Sequence, residues 1–179
     1  RIPGAVGHPL PGVTVDIVAD DGAPCLGDEP GELRVSSPQL FVGYYNDPAA
    51  TAAAYDKEGR FCTGDTGVRA PDGVIRLLGR TSTDVLKSGG YKLSALEIEE
   101  ALRAHPAIAD VAVIGLPDET WGDRVTACAV LHPQASLAID ELRTWCKDKL
   151  APYKIPKGLV VLPSLPRNAM GKVQKGVLK

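Results

Sequence analysis

The sequence is poor in the features that mark several protein classes. Aromatic residues make up only 5% of its 179 positions, and the formal net charge is -2 with both signs mixed throughout. A sheet that stacks RNA bases needs displayed aromatics and a basic surface, so an RNA-binding module is disfavoured, and so is any nucleic-acid partner. No polybasic segment is present to draw the chain to an anionic membrane, and no apolar run approaches the roughly 18–20 residues of a membrane span. The start, Arg1-Ile2-Pro3-Gly4, lacks the apolar stretch of a secretion signal and lacks Met, which suggests a piece of a longer protein. Cysteines are few and scattered: Cys25, Cys62, Cys128 and Cys146 form no C-x-x-C pair. That spacing disfavours a zinc site and predicts no metal ligands, and it fits a reducing compartment such as the cytoplasm. Without the N-terminus, the mitochondrial matrix stays open.

What is present is enough apolar residue, 44%, to bury a core in one domain or two small ones. Residues 1–80 are rich in Gly, Pro and Asp, with β-type runs at Val13–Val18, Glu32–Ser36 and Val74–Leu78 between turn signals such as Asp20-Asp21-Gly22. Pro48–Tyr55, with its alanines, reads as a helix. Beyond a boundary near Gly79-Arg80 the pattern changes to alternating helices and strands. Ser94 with Glu97 forms a capping-box signature opening a helix through Ala104, with Ile98, Ala101 and Leu102 on one face, and Pro106 forbids its continuation. Val111–Leu116 and Val125–Leu131 read as strands, Asp140–Leu150 as a helix burying Leu142, Trp145 and Cys146, and Leu159–Leu162 as a last strand. The fold class expected is α+β: a small β-rich subdomain followed by a compact two-layer α/β domain at 81–179, with a core of Ile98, Leu102, Val111, Val113, Val130 and Leu142.

Three segments expected to be loops carry polar residues that packing alone does not require. Thr63-Gly64-Asp65 places a carboxylate after a turn; an Asp beside Gly is also an ordinary turn former. The run from Gly79-Arg80 through Lys87-Ser88-Gly89-Gly90-Tyr91-Lys92 sets two glycines, which allow close backbone approach, between two lysines. That suits a phosphate-bearing or pantetheine-like ligand, or simply a solvated turn. The third, Pro166-Arg167-Asn168-Ala169-Met170-Gly171-Lys172-Val173, holds a lysine next to Gly near the end of the chain, where basic residues often serve only solubility.

Taken in order, these three segments resemble the adenylate-forming superfamily of acyl-CoA synthetases, adenylation domains and luciferases, over essentially the whole chain. The resemblance implies an ATP-dependent, AMP-forming ligase: a carboxylic acid and ATP, with Mg2+, form an acyl-adenylate, and coenzyme A then displaces AMP. It assigns Asp65 and Arg80 to the nucleotide ribose, Lys172 to adenylate formation, and Lys87 and Lys92 to the thioester step. It places Gly89, Gly90 and Tyr91 at the pantetheine tunnel and Trp121 on the CoA adenine. It implies that residues 1–80 complete a large AMP-binding domain and that 81–179 form a mobile lid. The hinge falls among Ser82, Thr83 and Asp84, because one residue more than the family pattern separates Arg80 from the acidic position.

The phosphate-binding loop and the Tyr-Gly-x-Thr-Glu motif of the family do not occur here. Half an active site is therefore expected, inactive without its N-terminal domain. Arg80-Thr81-Ser82 with Asp84 and Lys87-Ser88-Gly89-Gly90-Tyr91, Ala112-Val113-Ile114-Gly115 with Trp121-Gly122, and Pro166 to Lys172 most resemble malonyl-CoA and methylmalonyl-CoA synthetases. Medium- and long-chain fatty acyl-CoA ligases, adenylation domains that load a carrier protein, and a non-catalytic binding module remain as alternatives. Lys172, on an exposed terminal loop, is also a candidate for modification by a lysine acyltransferase and deacylase, since acylation removes the charge it would use.

Overall fold

The computed structural model describes residues 4–179, which fall into two compact units, 4–81 and Ser82–Lys179. The first unit is built on a five-stranded antiparallel sheet. Its strands are β1 (Ala5–Gly7), β2 (Thr14–Val18), β3 (Gly31–Ser36), β4 (Phe61–Arg69) and β5 (Ile75–Arg80), in the order β1-β5-β4-β3-β2. The three strands expected from the sequence are found within a residue or two, and the short helix α1 (Pro48–Ala53) is capped by Asp47, whose carboxylate accepts from the Ala50 N–H.

The central strand β4 was not expected. Its run Thr63-Gly64-Asp65-Thr66-Gly67 carries two glycines and no apolar alternation, so it reads locally as a turn. Hydrogen bonding to β3 on one side and β5 on the other makes it a strand.

The second unit opens with a hairpin that the sequence reading also took for a loop, β6 (Val85–Ser88) and β7 (Tyr91–Ser94). Helix α2 (Ala95–Arg103) follows, then the long hairpin β8 (Ile108–Asp118) and β9 (Gly122–Leu131), helix α3 (Ile139–Cys146) and strand β10 (Gly158–Val161). β10 lies parallel to β9, which pairs with β8 along its other edge and touches β6 at Ser88–Gly122. The predicted order of helix, strand, strand, helix, strand is thus observed, preceded by one hairpin. Ser94 caps α2 by accepting from the Glu97 N–H, but only half of the capping box forms, because the Glu97 carboxylate turns away to Lys154 at 2.6 Å.

Both faces of β8 and β9 are covered, which explains why their sequences are almost continuously apolar. Val111, Val113, Val125, Ala127 and Ala129 face Ile98, Leu102, Leu142 and Cys146 of the helices. Ala112, Ile114 and Cys128 face the other way, against Leu165 and the irregular C-terminal segment. Five of the six residues expected in the core are fully buried together; Val130 is half-buried and belongs to the opposite face, as strand alternation from Ala129 requires. Trp145 likewise remains half-buried, its indole N–H donating to the Ala101 carbonyl at 3.3 Å.

Candidate functional site

Asp65 is displayed by a β-bulge. Between the pairs Glu32–Thr66 and Arg34–Cys62, β3 advances two residues while β4 advances four, so Thr63, Gly64 and Asp65 are pushed out of the ladder with β3. Gly64 sits at φ +70, and its freed N–H is taken by the Glu32 carboxylate at 3.2 Å. Thr63 Oγ1 accepts from the Asp65 N–H and donates to the Leu33 carbonyl. Arg80, directly across in β5, lies over this bulge: one guanidinium nitrogen is 2.6 Å from the Thr63 carbonyl and 3.2 Å from Asp65 Oδ1. A Cβ on residue 64 would come within 3.3 Å of that same nitrogen, so glycine leaves room for the arginine as well as supplying the dihedral. The two residues assigned to a ribose by resemblance are therefore neighbours, one acceptor and one donor, both accessible to solvent.

Lys87 and Lys92 are opposite one another across the β6–β7 hairpin. Gly89 and Gly90 form the two-residue turn, with φ of +58 and +83. Two successive positive φ values are what a type I′ hairpin turn demands, a reason for paired glycines that the reading of a loop did not supply. The Gly89 N–H donates to the Trp121 carbonyl at 2.9 Å, and a Cβ at 89 would meet the indole at 3.3 Å. Trp121 is held in the β8–β9 turn by Asp118, whose carboxylate accepts its N–H, and remains 41% exposed.

Three members of this corner escaped the sequence reading. Lys157 lies 4.1 Å over the Trp121 ring, Tyr153 stacks on Tyr91 with centroids 4.4 Å apart, and Asp123 accepts the Lys87 N–H. Their sequence separation from the hairpin hides them.

Lys172 is exposed on a tight loop that closes with an Arg167–Val173 bridge. Asn168 organises it: its side-chain oxygen accepts from the N–H groups of Met170 and Lys172, each at 3.0 Å, and its own N–H donates to the Lys172 carbonyl. Arg167 donates to the Gly171 carbonyl and pairs with Asp110 of β8. Asp110 begins the β8–β9 hairpin and Trp121 sits at its far turn. From Asp110 to Asp118 the strand runs about 26 Å at roughly 3.3 Å per residue. The lysine loop and the glycine hairpin thus occupy opposite ends of one rigid hairpin.

Of the three hinge candidates, Ser82 and Thr83 are exposed in a turn, while Asp84 is fixed: its carbonyl accepts the Ala95 N–H and its carboxylate pairs with Lys175 at 2.7 Å. Among the described residues no group of three or more His, Cys, Asp or Glu is placed to hold a metal ion. Burial raises the thiol pKa of Cys128 and Cys146, which leaves both as packing residues rather than nucleophiles.

Residues 97–172 match the AMP-binding enzyme C-terminal domain, and the chain belongs to the adenylate-forming enzymes. It is 47% identical to the mitochondrial malonate–CoA ligase ACSF3 of Bos taurus, over 98% of this chain and 33% of that protein. Against the malonate–CoA ligase of Arabidopsis thaliana the identity is 46%, over 100% of this chain and 31% of the relative. The chain therefore spans about a third of the length of these relatives. Among solved structures, ATP-bound MatB from Rhodopseudomonas palustris superimposes with a TM-score of 0.81 at 36% identity, covering 99% of this chain and 35% of that one. The o-succinylbenzoate CoA synthetase MenE from Bacillus subtilis, in complex with an acyl-adenylate intermediate, gives 0.85 at 38%, covering 98% and 35%.

Proposed function

We propose that this chain supplies the C-terminal part of an AMP-forming acid–thiol ligase that activates malonate as its acyl-adenylate and transfers the acyl group to coenzyme A. Similarity to two malonate–CoA ligases and to MatB supports the substrate. The observation that carries the two-step mechanism is the placement of Lys172 and of Gly89 with Trp121 at opposite ends of the β8–β9 hairpin. One unit whose two functional ends are separated by about 26 Å of strand β8 can serve a single reaction centre only in turn.

In this reading residues 1–80 complete the large AMP-binding domain and 81–179 form the lid. Asp65 accepts hydrogen bonds from the ribose diol while Arg80 holds the bulge and donates to the nucleotide. In the first step Lys172 brings a point charge to the carboxylate oxygen that attacks the α-phosphate, offsetting negative charge as pyrophosphate departs. The lid then turns about Ser82–Thr83, since Asp84 is held within it. The Gly89–Gly90 turn with Tyr91 lines the pantetheine arm, Trp121 offers its exposed face to the CoA adenine, and Lys87 and Lys92 attract its phosphates. Mg2+ would enter with ATP and be held mainly by the N-terminal domain. The same exposure that lets Lys172 reach the centre opens it to a lysine acyltransferase. Among the described residues no helix is long and apolar enough to cross a membrane, and a reducing compartment, cytoplasm or mitochondrial matrix, suits the reading.

The test separates the half-reactions in the full-length enzyme. Lys172→Ala should abolish malonate-dependent pyrophosphate exchange while a supplied malonyl-adenylate still reacts with CoA. Equal loss of both would overturn the assignment, and activity with fatty acids but not malonate would replace the substrate.

A further inference from the structure

Three residues beyond Lys172, the chain does something costly. Lys175 is only 9% exposed, and its ammonium lies between two carboxylates, 2.7 Å from Asp84 Oδ1 and 2.8 Å from Glu99 Oε1. Glu99 is itself 4% exposed; the same oxygen accepts the Val113 N–H of β8 at 2.8 Å, and the other takes Arg103 at 3.1 Å. A fully desolvated ion pair is a weak source of stability, since desolvation offsets most of the attraction, whereas its geometry is strongly directional. Aliphatic side chains would close this gap at least as stably, so the cluster calls for a reason other than stability.

The location supplies one. Asp84 closes the Ser82–Asp84 hinge segment, Glu99 is on α2, Val113 is on β8, and Lys175 continues directly from the loop that bears Lys172. Between them Val173 packs into the apolar cluster of Ala112 and Ile114. All these residues belong to one unit, so the cluster travels with the lid. On the other side of Lys172, Arg167 is fastened to Asp110. The backbone at 172 is thereby fixed from both directions, while its own side chain stays exposed.

We propose that Lys175 is a positioning residue for adenylate formation, its buried ammonium pinning the Lys172 loop to the hinge-side carboxylate Asp84 so that rotation about the hinge delivers Lys172 to a fixed place. The inference rests on the assignment of Lys172 to the first half-reaction. Misplacement of a reacting group by about 1 Å costs on the order of 100-fold in rate, so a loosened pin should slow adenylation by about 10- to 100-fold. The thioester step, which uses the opposite end of the β8–β9 hairpin, should be spared.

Lys175→Met in the full-length enzyme removes the charge and keeps the stem. Pyrophosphate exchange is expected to fall in kcat with KM for ATP close to the parent value, thioester formation from supplied acyl-adenylate should continue, and Lys175→Arg should restore most of the loss. Thermal melting establishes that the lid is folded; should the single variant melt early, Glu99→Gln with Lys175→Met, which leaves fewer unpaired charges, carries the test with the same expectation. Parental exchange in a folded variant lacking the ammonium overturns the proposal, and so does an equal loss in both half-reactions, which marks a purely structural cluster. Lys172→Ala run beside it tells the two ideas apart. If that variant keeps exchange, the role of Lys172 has failed; if it loses exchange while Lys175→Met keeps it, only the pin has failed.

Discussion

Asn168 offers a graded probe of the lysine loop, because its contribution can be counted. Its side-chain oxygen accepts two main-chain N–H groups, those of Met170 and Lys172, both at 3.0 Å and both near solvent. A net hydrogen bond is worth about 0.5–1.5 kcal/mol, and exposed ones fall in the lower half, so Asn168→Ala should release about 1–2 kcal/mol of loop order. The loop does not collapse, since the Asn168 N–H still reaches the Lys172 carbonyl and Arg167 still holds Gly171. At about 1.4 kcal/mol per decade, the equilibrium constant favouring the conformer that presents Lys172 falls about 5- to 30-fold. Malonate-dependent pyrophosphate exchange should fall by up to that factor, with thioester formation from supplied malonyl-adenylate unchanged. Asn168→Asp retains an acceptor for both N–H groups and should lose less. Exchange at the parental rate in Asn168→Ala would show that the loop is set by other contacts, and equal slowing of both half-reactions would show that it acts through the whole lid.

Gly90→Trp should block CoA-dependent thioester formation and spare pyrophosphate exchange, while Gly90→Asn, which tolerates the φ of +83, should keep both; parallel assays of the two half-reactions decide it. Leu142→Ala, at a fully buried site, should destabilise the lid by about 2–5 kcal/mol in denaturant unfolding, and Val130→Ala, half-buried, by clearly less. Burial lowers the pKa of His105, with Lys149 adding to the effect and Glu141 opposing it, and its Nδ1 accepts the Ala107 N–H. The unfolded chain therefore binds this proton more readily, so the contribution to stability is present above the ordinary histidine value and is lost as pH falls through it. Melting of the parent should drop more steeply than that of His105→Asn between about pH 7.5 and 5.5.

The sequence by itself determined the elements whose signals are local. Ser94 and Pro106 bracket α2 because a side-chain cap and a missing N–H act within one or two turns of helix, and the apolar runs of β8 and β9 mark two strands, whose cover on both faces only the structure shows. It also pointed to Asp65, Arg80, Gly89, Gly90 and Lys172, through motifs whose spacing survives in one dimension. Tertiary structure decided what depends on partners distant in the chain. β4 is a strand only because β3 and β5 bond to both its edges, and Thr63-Gly64-Asp65 is a bulge because β3 advances two residues there while β4 advances four. The paired glycines at 89 and 90 satisfy a hairpin turn whose strands were not legible beforehand. No local sequence signal marks Lys175. It became a buried cation because folding brings Asp84, 91 residues away, to 2.7 Å from its ammonium, and a charge so placed can be recognised only when the group that neutralises it is seen beside it.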